Sequence, residues 1–256
     1  MLSYQHAFHA GNLADVHKHA ILADVLAYLT LKDKPISYIE THAGRALYDL
    51  SGDEAQKTQE AAGGVARLED ALPSDHPYRQ TLARIRKEHG AHAYPGSPLI
   101  AKALLRPTDT VHLSELHPQE HAALRNTIRG ANIYNRDGFE TAISLCPPMP
   151  RRGLLLCDPS WEIKDDYSYL PKFFGQIAQK WNVGILALWY PILTSAAHKP
   201  MIKSLEQKFP GALKSEVRFP PVREGHRMVG SGMFLVNPPY GLSDKVKKIE
   251  AIFARL

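Results

Sequence analysis

The chain has 256 residues, 44% hydrophobic and 22% charged, a balance that excludes a disordered tract, a collagen-like repeat and a coiled coil. No apolar stretch approaches the ~18 to 20 residues of a spanning helix, the first residues lack a signal peptide's basic head and apolar centre, and two cysteines, Cys146 and Cys157, cannot build a disulfide framework. Thirty-one Lys and Arg against 26 Asp and Glu leave a net charge of +5, with 13 histidines besides, which permits a polyanionic partner without requiring one.

The amino-terminal stretch Tyr4-Gln5-His6-Ala7-Phe8-His9-Ala10-Gly11-Asn12 is followed by Asp15-Val16-His17-Lys18-His19 at the head of a first helix expected over Ala14–Leu31. Histidines 6, 9, 17 and 19 invite a metal, as do His117 and His121 at helical spacing, but no cysteine or carboxylate set completes a site, so none is expected. Aromatic and basic groups beside Gly11 and Asn12 suit a base pocket, and Lys18 and His19 suit the anionic carboxylate of a cofactor. His9 and His17 read equally well as surface polarity.

Short apolar runs then alternate with amphipathic stretches, the pattern of an α/β protein with a mainly parallel sheet. Strands are expected at 36–40, 110–115, 132–135, 153–158, 183–190, 215–219 and 233–237, with further helices at 118–129, 170–181, 196–209 and 243–256. Residues 46–93 are polar and helix-favouring without a convincing strand, and read as a helical insertion in a single domain spanning 1–256. There Arg67, Arg79, Arg84, Arg86 and Lys87 suit a solvated helix face better than a phosphate backbone.

Acidic residues close successive strands. Glu40 precedes the small-residue turn Thr41-His42-Ala43-Gly44, which suits a nucleotide-like ligand at the carboxyl edge of a parallel sheet but is not a Gly-x-Gly-x-x-Gly fingerprint, because Arg45 and Ala46 follow. Glu115 can accept hydrogen bonds from both hydroxyls of a ribose, and Asp137 with a flexible Gly138 suits an adenine ring. The fourth strand ends in Asp158-Pro159-Ser160-Trp161, close in form to the Asp-Pro-Pro-Tyr motif of enzymes that methylate exocyclic amino groups. Such a nitrogen is conjugated with its ring and is a poor nucleophile. A carboxylate (Asp158) and a backbone carbonyl (Pro159) that accept its hydrogens favour tetrahedral geometry and offset the developing positive charge, while Trp161 offers a stacking face for a flipped base. Asn237-Pro238-Pro239-Tyr240 matches the motif more closely, yet it closes the seventh strand, which in that fold runs antiparallel and points to the opposite edge.

These residues, with the amino-terminal block through His19, Thr41-His42-Ala43-Gly44 and Tyr94-Pro95-Gly96-Ser97-Pro98, resemble the RlmJ family of bacterial 23S ribosomal RNA adenine-N6 methyltransferases over the whole length. The resemblance implies a Rossmann-like class I fold with a mainly parallel seven-stranded sheet and S-adenosyl-L-methionine as cofactor. It implies that His19, His42, Ser97, Glu115, Asp137, Gly138 and Asp158 contact that cofactor, that Asp158 is catalytic, that Tyr4 touches the RNA, and that His6 and Lys18 stand near the target base. The implied partner is 23S ribosomal RNA; without a spanning stretch or signal peptide the protein is expected to be cytoplasmic, and a monomer with no membrane and no obligate protein partner is expected. The chain departs from the family at Ser160 and Trp161, where a second proline and a tyrosine are usual, and at Arg45 or Ala46, where a further glycine is. Two other readings stay open: an amino-methyltransferase for DNA adenine or protein glutamine, and a ribosome-assembly factor that binds cofactor and RNA with little turnover.

Overall fold

The computed structural model describes residues 6–221, 225 and 227–256. Among them nine strands form: β1 (Ser37–Glu40), β2 (Leu47–Asp49), β3 (Ala93–Pro95), β4 (Thr110–Ser114), β5 (Asn132–Tyr134), β6 (Gly153–Cys157), β7 (Ile185–Leu193), β8 (Leu213–Arg218) and β9 (Met228–Val236). Seven make one sheet in the order β5-β4-β1-β6-β7-β9-β8, parallel throughout except for β9, which runs antiparallel to both its neighbours. The helices are α1 (Leu13–Thr30), α2 (Asp53–Thr58), α3 (Glu60–Gly63), α4 (Val65–Leu68), α5 (Pro77–His89), α6 (Ser97–Leu104), α7 (Pro118–Thr127), α8 (Gly138–Leu145), α9 (Asp166–Lys180), α10 (His198–Lys208) and α11 (Leu242–Phe253).

Continuous apolar strands such as Leu154-Leu155-Leu156-Cys157 bury both faces, as a sheet covered by helices on each side requires. Leu154, Leu156, Val111 and Leu113 join α1 and α11 in one cluster, whereas Leu155, Cys157, Leu186 and Leu188 join α9 and α10 in the other. Both cysteines are free and buried. Helix α1 packs against β9 and against α5, α6 and α11, and every residue from Ala14 to Leu26 is buried. Surface polarity at His17 is thereby overturned: the ring is fully buried between the hydroxyls of Ser231 and Ser215. Asn12 caps the helix, accepting from the Asp15 amide at 2.9 Å and donating to Glu60 at 3.0 Å.

Three features differ from the sequence pattern. The 46–93 segment holds α2 to α5, but β2 and β3 bracket it as an antiparallel pair with Tyr48 opposite Tyr94; strands this short show no readable period. Within it Arg86 grips Glu69 through both guanidinium nitrogens at 2.7 and 2.6 Å, and Arg79 pairs with Asp70, so these two cations are engaged inside the segment. Helices α6 and α8, eight residues each, fall where no helix was expected. Strand β7 continues three residues past the expected end and runs through Pro191, where only β9 flanks it, so the missing ladder donor costs little.

Candidate active site

The carboxyl ends of β1, β4, β5, β6 and β7 open on one cleft of about 390 Å³, the place where parallel α/β sheets bind ligands. His6, Lys18, His19, His42, Ser97, Glu115, Asp137, Gly138, Asp158, Pro159 and Trp161 all line it. The reading of Tyr4 falls outside the described residues.

On one side the loops after β1 and β4 converge on Glu115. Its Oε2 accepts from the Gly44 amide at 2.8 Å and its Oε1 from the His117 amide at 2.7 Å. Burial pushes the carboxyl up and these two bonds pull it back, leaving a held acceptor with spare lone pairs. Asp137 caps α8 by accepting from the Glu140 amide at 2.9 Å. Gly138 is needed for closeness rather than for the flexibility expected of it: a Cβ there would lie 1.8 Å from the Thr41 carbonyl oxygen, so only glycine lets the β1 and β5 loops touch. His42 contacts the Thr41 hydroxyl at 2.8 Å and the edge of Phe139, and burial depresses its pKa to about 4, so it is neutral at physiological pH. Ser97 heads α6 and donates to Glu40. Glu40 itself departs from its expected place at a ligand: it is fully buried behind the cleft, accepting also from the Tyr38 hydroxyl at 2.8 Å.

On the other side stands Asp158. Its Oδ2 accepts from Lys18 Nζ at 2.6 Å, and the same ammonium lies 3.0 Å from Asp15. Asp15 in turn accepts from the Gly11 amide and from His6 Nε2, each at 2.9 Å. Burial opposes the charge on both Asp15 and Lys18, but their partners win: His6 and Lys18 hold the Asp15 carboxyl well below the usual range, and Asp158 and Asp15 hold the Lys18 ammonium above its own. His19 Nδ1 bonds the Tyr94 hydroxyl at 2.9 Å, and burial takes its pKa to about 3. Pro159 is buried at the strand tip. Trp161 sits in the left-handed region at φ 60°, its ring 4.7 Å from that of Tyr167. An indole in this backbone conformation is strained and held by its surroundings.

Three cleft-lining residues keep a buried polar atom without a protein partner: His19 Nε2, His117 Nδ1 and Trp161 Nε1. With the Glu115 acceptor and the close approach at Gly138, they fit a large polar ligand carrying hydroxyl, amino and carboxylate groups. Among the described residues no cluster of three or more His, Cys, Asp and Glu is placed to hold a metal. Asn237 ends β9 at the opposite edge of the sheet, its amide donating to the Asn182 and Gly184 carbonyls, and Tyr240 is 92% exposed. Sequence reasoning missed Asp15 as the hub of the charged side. Its signal was the spacing: Asp15, Lys18 and His19 lie three and four apart, on one helix face.

Sheet order, inserted antiparallel strand and carboxyl-edge cleft give a Rossmann-like α/β fold with a seven-stranded mixed sheet, and the family to which the chain belongs makes it an S-adenosylmethionine-dependent methyltransferase. The family described as "Ribosomal RNA large subunit methyltransferase D, RlmJ" matches residues 33–255, and the chain belongs to that family. It is 38% identical to ribosomal RNA large subunit methyltransferase J of Escherichia coli K12, over 97% of this chain and 91% of that one. The same named protein of Haemophilus influenzae is also 38% identical, over 97% of this chain and 92% of its own. A crystal structure of a Legionella pneumophila protein superposes with a TM-score of 0.86 at 32% identity, covering 95% of this chain and 92% of that one.

Proposed function

We propose that this enzyme transfers a methyl group from S-adenosylmethionine to N6 of an adenine in 23S ribosomal RNA. The observation that carries the reading is Asp158 at the tip of β6, followed by the buried Pro159 and clamped at 2.6 Å by the ammonium of Lys18. His19, His42, Ser97, Glu115, Asp137 and Gly138 hold the cofactor, Glu115 taking the ribose hydroxyls and Asp137 with Gly138 meeting its adenine. When bound, the cofactor supplies an electrophilic methyl group on a sulfonium.

The chain's own residues make the amino nitrogen a nucleophile. Lys18 occupies Oδ2 of Asp158 and orients the carboxylate, leaving Oδ1 to accept one amino hydrogen while the Pro159 carbonyl accepts the other. Both acceptors favour the pyramidal nitrogen and stabilise its growing positive charge. Asp158 also stands where the nitrogen sheds its surplus proton after transfer. Ser160 removes a proline ring and no acceptor, so turnover is expected. Trp161 and His6 flank the flipped base, and Tyr4 meets the RNA. A single methyltransferase domain carries all of this, with residues 46–93 as a helical subdomain; the enzyme works as a cytoplasmic monomer.

Incubation with labelled S-adenosylmethionine and unmodified 23S ribosomal RNA, followed by nucleoside mass spectrometry, tests the reading. Expected is N6-methyladenosine that falls by on the order of 100 to 1,000-fold in rate, about 3 to 4 kcal/mol, with Asp158→Ala. A variant with near-full turnover removes Asp158 from the centre of the reaction.

A further inference from the structure

A polar chain threads the interior on the far side of Lys18 and has no part in the mechanism above. The indole Nε1 of Trp189 donates to Ser231 Oγ at 2.9 Å. Ser231 Oγ lies 2.9 Å from His17 Nδ1, and His17 Nε2 lies 3.0 Å from Ser215 Oγ, which donates to Glu250 at 2.6 Å. The two ends fix every proton between them. An indole can only donate and a carboxylate can only accept. Ser215 spends its one hydrogen on Glu250, so it must accept from His17 Nε2–H. Nδ1 of the neutral ring is then the acceptor, and it takes the Ser231 hydrogen, leaving the Ser231 oxygen to receive the indole. Burial keeps the His17 ring neutral, with its pKa near 3.

The chain runs one way through five residues on β7, β9, α1, β8 and α11, and it terminates at the cleft. Trp189 follows Leu188, which pairs in register with Cys157, so it stands beside Asp158 on the neighbouring strand. Its ring centroid is 5.5 Å from Lys18 Nζ, the ammonium that reaches Asp158 at 2.6 Å. Asp158 and the indole face thus hold the same cation between them. Beyond Trp189 the overhanging part of β7 turns Pro191 and Leu193 to the cleft, with Met228 of β9 beside them.

We propose that Trp189 is a positioning residue for methyl transfer: its indole, locked in orientation by the Ser231–His17–Ser215–Glu250 chain, holds the Lys18 ammonium against Asp158 so that the carboxylate presents its free oxygen to the amino group. The proposal rests on the reading of Asp158 given above. It assigns to a buried hydrogen-bond chain a role in turnover rather than in stability alone.

The test uses purified full-length variants and an RNA that the wild type methylates, with kcat, KM for RNA and cofactor affinity by equilibrium dialysis. Trp189→Leu removes both the aromatic face and the N–H; kcat is expected to fall at least tenfold with cofactor affinity within twofold of wild type. Trp189→Phe keeps a face for Lys18, and is expected to recover most of the lost kcat. Ser231→Ala should lower kcat in the wild type and have no further effect on kcat in Trp189→Phe, where no N–H remains to be held. Phenylalanine no better than leucine, wild-type kcat in Trp189→Leu, or additive effects of Ser231→Ala and Trp189→Phe would each overturn the proposal. Thermal melting identifies a variant that fails to fold, in which case the Ser231→Ala and Trp189→Phe pair decides. Absence of N6-methyladenosine with the wild type is a failure of the parent reading and is seen before any variant is made.

Discussion

Lys18 and Glu40 show how differently two buried ionisable groups can be supported. Lys18 keeps its charge because Asp158 and Asp15 both meet it. Glu40 has only hydroxyl donors, Ser97 and Tyr38, and burial pushes it up to about 8. Between its ordinary value of 4.5 and about 8 the folded protein holds a proton that the unfolded chain has released, so stability falls as pH rises through that window. Glu40→Gln removes the titration, and the decline of melting temperature across those pH values should become shallower; an unchanged slope would contradict the assignment. At this scale the place of Asp158 in the cleft was legible, since a carboxylate, a proline and an aromatic in sequence mark the tip of a strand. Asp15 was missed although its spacing to Lys18 and His19 was readable, because a carboxylate in the first turn of a helix also reads as a favourable charge near the helix dipole, and His6 and the Gly11 amide reach it from outside the helix.

Among the elements, α1 does more than cover the sheet. It carries Asp15, Lys18 and His19 to the cleft on one face and buries His17 on another, and its entry is set by Asn12, whose side chain both caps the helix and ties it to Glu60 of α3. Asn12→Ala should cost about 1 kcal/mol for the cap alone, more with the Glu60 bond, and should weaken turnover by loosening the Lys18 end of the site. Denaturant titration and kcat measured together check this; lost stability with full kcat would separate the cap from the site. Strands β6 and β7 could be read from their apolar runs, and α1 from the long stretch that follows the amino-terminal block. Helices α6 and α8 could not, for they span barely two turns and open on Ser97-Pro98 and Gly138. The true length of β9 was hidden by Gly230 and Gly232, the latter present because a Cβ would strike the Tyr190 ring at 2.2 Å.

For the molecule as a whole, a net charge of +5 is modest for a protein that handles a polyanion, and part of the positive charge is spent internally, on Glu69, Asp70, Glu120 and Asp109. Binding to ribosomal RNA should still weaken by on the order of tenfold or more between about 50 and 200 mM salt, as counterion release demands. A flat salt dependence in a filter-binding titration would mean that phosphate contacts contribute little. The overall topology was legible because the strand count, the alternation with helices and the position of the acidic strand ends agree with one another. The β2–β3 pair that closes the 46–93 segment was not, because its partners are separated by nearly the whole insertion.

The placement of β9 between β7 and β8 also bears on how the protein is made. Strand β8 leaves the ribosome first and yet has no neighbour in the sheet until β9 has slipped in beside it. Strands β1, β4, β5 and β6, whose carboxyl ends border the cleft, pair with one another directly and can assemble as they emerge. The Trp189 anchor needs Ser231 and Glu250, and His17 must wait for partners about 200 residues downstream, 198 and 214 positions away. On the assignments proposed above, a nascent chain would therefore carry Lys18 and Asp158 before it could build the Trp189 anchor, and translation that stops short of β9 would leave that anchor unmade.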